Sequence, residues 1–199
     1  MKTSTERILT THVGSLPRSK AVTDLVFAKE QGMEVDESTF NKIIAQAVMD
    51  VVKRQTEAGV DIVSDGEMSK ISYATYIKDR ISGFSGDSPR NPPKDLEDFP
   101  GFLKRASKGG GTPTYSRPCC EADIKSLSTL PAANDIANLK NASKLHQPTD
   151  AFMNAASPGV IALFLPNKYY KTQTDYLEAL AEAMRVEYEA IVEAGFILQ

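Results

Sequence analysis

The sequence predicts an α/β fold of repeated helix, glycine and strand units, arranged as an incomplete (β/α)8 barrel, roughly its first half. Three observations predict it. An amphipathic stretch leads into EAGVDIVSDGE from Glu57, and a second leads into EAGFILQ from Glu193. Both copies read helix, glycine, strand, the repeating unit of a parallel sheet whose strands are linked by helices. Finally, eight such units take about 250 residues, whereas 199 are present and the second copy stops inside its strand.

The elements follow in order. Ile8 to Val13 is the first β-prone run. Phe40, Ile43, Ile44, Ala47, Val48, Val51 and Val52 fall at the i, i+3, i+4 spacing of one buried helix face, which sets a helix over 37–57 with Asp36 as its N-cap. Gly59 can take the left-handed turn that ends it, and Val60 to Ser64 is the next strand. Residues 83–114, with SPRNPPKD and KGGGTPT, have no sustained period and are expected to form a long surface loop. Gly109 to Gly111 lacks the Lys-Ser/Thr of a phosphate-binding loop and reads as a hinge. Further strands are expected at Pro118 to Lys125, Ala151 to Ala155 and Phe196 onward, the last preceded by a helical stripe from Tyr176 to Val192. Residues 1–199 are thus expected to be a single incomplete domain, whose open edge favours association.

Composition narrows the function classes. A net charge of -3, with Lys and Arg scattered, offers no basic stripe to a nucleic acid. No run approaches the 18 or so apolar residues of a bilayer span, and the N-terminus has no apolar signal region; a cytoplasmic protein is expected. Cys119 and Cys120 are adjacent, without the spacing of a metal or redox pair, and read as one core thiol and one covered thiol. His146 and the tyrosines Tyr169 and Tyr170 carry no special chemistry.

Two motifs sit directly after strands, where α/β barrels place their chemistry. In TTHVGSLPR, from Thr10 to Arg18, Gly14 permits a tight turn with free N–H groups, Ser15 supplies a hydroxyl and Arg18 a fixed charge. Together they suit a carboxylate or phosphate, although a plain turn satisfies the same spacing. In SDGEMSKISYATY, from Ser64 to Tyr76, Asp65 and Glu67 flank a glycine. They suit an ammonium group or proton transfer, or alternatively cap the segment that follows. His12 adjoins the first motif and reads equally as a functional or a core residue.

TTHVGSLPR, GVDIVSDGE followed by SYATYI, and YLEALAEAMRVEYEAIVEAGFILQ together resemble the catalytic domain of cobalamin-independent methionine synthase, and more closely its short single-domain relatives. The resemblance implies a TIM barrel that moves a methyl group from 5-methyltetrahydrofolate to the thiol of homocysteine, held as thiolate by zinc. It also implies that Val13, Gly14 and Ser15 meet the amino-acid carboxylate and Glu67 the ammonium. His12 and Arg18 stand where longer methionine synthases carry uncharged residues, which admits an epoxide–coenzyme M transferase-like reaction as the alternative; a non-catalytic half-barrel is another. The family's zinc ligands are expected beyond Gln199, so that zinc belongs to a full-length protein and this chain alone is inactive. No general acid, base or nucleophile is assigned.

Overall fold

Helix α2, Glu37–Glu57, organises the molecule. The Asp36 carboxylate accepts from Thr39 N–H at 2.7 Å, closing its N-terminus, and Phe40, Ile44, Val48, Val51 and Val52 bury one face. That face packs on α5, Leu130–His146, and on strand residues Val63, Ala151 and Met153 to form the main core. The computed structural model describes residues 2–88, 94–108 and 117–199.

The sheet runs in chain order. Strand β1, Ile62–Val63, pairs in parallel with the run at Thr11. The remaining strands lie in parallel on its other side: β4, Asp150–Met153, pairs with β1, and β5, Ile197–Leu198, pairs with β4. Gln199 and Ala155 extend the last pairing through Gln199 N–H to Met153 O and Ala155 N–H to Gln199 O, both at 3.0 Å. Helices occupy every crossover: α1, Lys20–Glu30, with α2; then α5; then α6, Pro158–Phe164, with α7, Gln173–Glu193. The strands follow in sequential order without reversal, unlike a doubly wound sheet, whose order reverses at a switch point. The fold is α/β, as expected.

Two expectations change. Cys119 and Cys120 form β3, which pairs antiparallel with β2, Phe84–Ser85, and takes no place in the parallel sheet. The stretch expected as a loop contains β2 and two surface helices, α3, Lys94–Glu97, and α4, Pro100–Lys108; Gly109 to Gly111 lie outside the described residues. The β2–β3 ribbon packs beside a second core, in which Ile77 of the 3-10 helix Thr75–Asp79 meets Ile161, Leu165, Tyr176, Leu180 and Met184.

A buried ionic cluster ties this 3-10 segment to two helices. Arg80 donates to Asp135 on α5 at 2.6 Å and to Glu187 on α7 at 2.9 Å. Tyr76 Oη donates to the other Glu187 oxygen at 2.9 Å, and Ser69 Oγ to Asp135 at 2.7 Å. Burial by itself lowers the Arg80 pKa, but the two carboxylates outweigh it and hold the group above its ordinary value.

Candidate functional site at the carboxyl ends of the strands

The two motifs meet. Leu16 N–H donates to Gly66 O at 3.1 Å, and Arg18 Nη2 donates to Glu67 O at 2.7 Å and Lys70 O at 2.6 Å. These bonds stitch the Gly14–Arg18 turn to the Ser64–Lys70 loop at the ends of neighbouring strands. Gly66 lies at φ +63°, and a Cβ there would come within 3.0–3.3 Å of Met68, Leu16 and Val51, so only glycine fits beneath the turn. Gly14, at φ +83°, requires glycine for its backbone alone.

Glu67 is itself left-handed, at φ +58°, a conformation that costs a non-glycine residue about 1–2 kcal/mol. Three bonds hold it there. Arg18 binds its carbonyl, Asp65 Oδ1 accepts from its N–H at 2.9 Å, and Asn154 Nδ2 donates to its Oε1 at 2.7 Å. The result is a carboxylate turned inward with only 3% of the residue exposed. Among the described residues it makes no ion pair.

Asp65 is also buried, and burial pushes its carboxyl pKa up, partly opposed by the nearby Lys70 charge. Its side chain braces the Glu67 backbone. Burial pulls the Arg18 guanidinium down, against the charges of Glu67 and Asp65, and Arg18 is a lock between two loops by its bonds. Val13 and Ser15 are exposed; Ser15 Oγ makes no hydrogen bond among the described residues.

His12 lies in a network that the sequence reading did not foresee. The Gln55 amide, inside the apolar stripe of α2, pairs with the Ser64 backbone as an adjacent strand would. It donates to Ser64 O at 2.8 Å and Val51 O at 3.1 Å and accepts from Ser64 N–H at 3.0 Å. The orientation of this amide is thereby fixed, so the 2.7 Å contact of its Oε1 with His12 Nε2 assigns the proton to Nε2. In the neutral ring, Nδ1 then carries a lone pair. His12 Nδ1, Arg18 Nε and Asn154 Oδ1 are each buried without a hydrogen-bond partner among the described residues.

Sequence reasoning missed Gln55, Lys70 and Asn154. A polar side chain on the buried face of α2 is a readable signal for Gln55, whereas Asn154 reads as an ordinary strand residue. The predicted site residues do not line the cleft of about 430 Å³ between α1, α2, the 3-10 helix and α5, although Lys70 does. Among the described residues no three His, Cys, Asp or Glu side chains gather as a metal site. They therefore do not fit the zinc that the resemblance implies, and no chemical step is assigned to it. No helix of the described residues is long and apolar enough to cross a membrane.

Comparison with known proteins agrees with the motifs. The model of the cobalamin-independent synthase catalytic domain matches residues 8–89. A methionine synthase of Sulfolobus acidocaldarius is 27% identical over 186 residues, covering 94% of this chain and 48% of the relative. One from Saccharolobus islandicus is 26% identical, covering 94% and 49%. The chain thus spans about half the length of the curated relatives it matches. Among solved structures, a B12-independent methionine synthase from Shewanella sp. W3-18-1 in complex with selenomethionine superposes with a TM-score of 0.61 at 19% identity, covering 84% of this chain and 43% of that one. That likeness carries the fold alone. This chain is thus similar to the cobalamin-independent synthase catalytic domain over residues 8–89 and to methionine synthases along most of its length.

Proposed function

We propose that this chain supplies the amino-acid-binding corner of a protein that transfers a methyl group from 5-methyltetrahydrofolate to homocysteine. One observation carries the reading: the Gly14–Ser15 turn and Glu67 are stitched together at the ends of adjacent strands. One side offers N–H groups and a hydroxyl, the other a nearly covered carboxylate with no ion-pair partner among the described residues. An amino acid presents the complementary pair, a carboxylate and an ammonium. In this reading Val13, Gly14 and Ser15 receive the carboxylate, Glu67 receives the ammonium, and Asp65 and Arg18 hold the loops in register. The exclusion of water around Glu67 strengthens its charge toward a ligand.

What these residues do is bind and orient, so that the thiol is presented in one direction to the methyl donor. In the reaction that the resemblance implies, zinc would hold the thiol as thiolate; its ligands are proposed to lie outside the described residues. The chain is read as roughly the first half of the barrel and a cytoplasmic protein. A coenzyme M-type reaction would use His12 and Arg18 as charges for a sulfonate; the commitment of Arg18 to two carbonyls and of His12 to Gln55 favours the amino acid instead. Calorimetric titration with methionine, the expected product, tests the reading. Saturable binding that Glu67→Gln weakens supports it, and binding indifferent to that change rejects the assignment of Glu67.

A further inference from the structure

The contacts of Asn154 are divided between opposite charges. Its side-chain Nδ2 donates to Glu67 Oε1 at 2.7 Å, and its main-chain carbonyl accepts from Lys70 Nζ, also at 2.7 Å. Glu67 and Lys70 belong to one turn, with Lys70 N–H donating to Glu67 O at 3.1 Å, and at that spacing a lysine and a glutamate can meet directly. Both are almost fully buried, at 2% and 3% exposure, where pairing between them would be strong. They nevertheless form no ion pair. Lys70 Nζ also lies 5.0 Å from the centre of the Tyr76 ring, a cation–π contact. The second oxygen of Glu67 makes no hydrogen bond to the described residues.

We propose that Asn154 is a positioning residue: by holding the Glu67 carboxylate with its amide and the Lys70 ammonium with its carbonyl, it keeps them apart and leaves Glu67 open to the ammonium group of the substrate. The inference rests on the proposed amino-acid site and adds what maintains it. A neutral residue is required at this point. A cation would neutralise Glu67, and an apolar side chain would release it to Lys70. Asn154 Oδ1, buried and without a partner among the described residues, marks a side chain whose orientation is set by Glu67 rather than by its own full satisfaction.

The test compares methionine with 4-(methylthio)butanoate, which differs by loss of the amine, in calorimetric titrations of the 199-residue chain. Wild type should prefer methionine by about tenfold or more, the scale of one charged hydrogen bond. Asn154→Ala and the near-isosteric Asn154→Leu should both bring that ratio close to one while the affinity for the amine-free ligand stays unchanged. Adding Lys70→Met to Asn154→Leu should restore the preference, because the competing cation is gone; melting curves identify any variant that has lost its fold. If the Asn154 variants keep the wild-type ratio, the inference fails while the amino-acid site stands. If they lose it and Lys70→Met does not restore it, the spacer role is overturned in favour of a plain packing role. A wild type without preference rejects the Glu67 reading itself, and the spacer role with it.

Discussion

Two buried polar clusters lie close together in this chain and obey opposite rules. Around Arg80 a single cation is closed upon by Asp135 and Glu187, with Tyr76 and Ser69 completing the carboxylates. Around Asn154 an anion and a cation are each bonded to a neutral residue and not to one another. The first cluster joins the 3-10 segment to α5 and α7 and leaves little for a ligand to gain. The second is tied to the strand ends by Arg18 and Asp65 and leaves charge open. Mutual neutralisation builds the fold, whereas in the proposed reading maintained separation leaves a site for a ligand.

The largest expected effect lies in the first cluster. Arg80→Met strands two buried carboxylates and should lower stability by about 3–5 kcal/mol, measured by urea unfolding. Glu67→Gln, in the second, should cost about 1 kcal/mol of stability or less and at the same time weaken methionine binding by about tenfold or more. The comparison breaks if the two variants exchange these phenotypes. Removing the N-cap of α2 by Asp36→Ala touches neither cluster and should cost about 1 kcal/mol, which sets a scale for both.

The smallest effects are in pH dependence, and their signs oppose. Hydrogen bonds from Arg7, and then from Thr10, hold the Asp61 carboxyl well below the usual range. Its contribution is present above the unfolded value of about 3.9 and is lost as pH falls through the lower folded value. Asp61→Asn should therefore be less stable than wild type near pH 7, with the gap narrowing below about pH 4. Asp65, raised by burial, contributes most below its unfolded value and loses that contribution as pH rises through the folded one. Asp65→Asn should gain on wild type between about pH 4 and 7, which melting curves over that range will show.

The sequence disclosed the parts of this design that repeat or alternate. The seven apolar positions of α2 and the Asp36 cap fixed that helix to the residue, and the EAG-strand repeat found two of the parallel strands. Helix α5 escaped because its buried positions include Asp135 and two alanines rather than a broad apolar stripe. Cys119–Cys120 was misplaced because a short apolar run does not declare its partner, and the partner lies in the Phe84–Ser85 excursion. Glu67 and Ser15 were legible as polar residues placed directly after strands. Lys70, Gln55 and Asn154 were not, since their meaning lies in contacts that cross 9 to 87 positions of sequence.

The most direct test of the account is a titration of isotopically labelled chain with methionine, followed by backbone amide NMR. The account predicts shifts at Gly14, Ser15, Glu67 and Asn154, moving together with one dissociation constant. Shifts confined to Asn134, Asn138 and their neighbours in the cleft between α2 and α5, or none at the strand ends under saturating ligand, would contradict it.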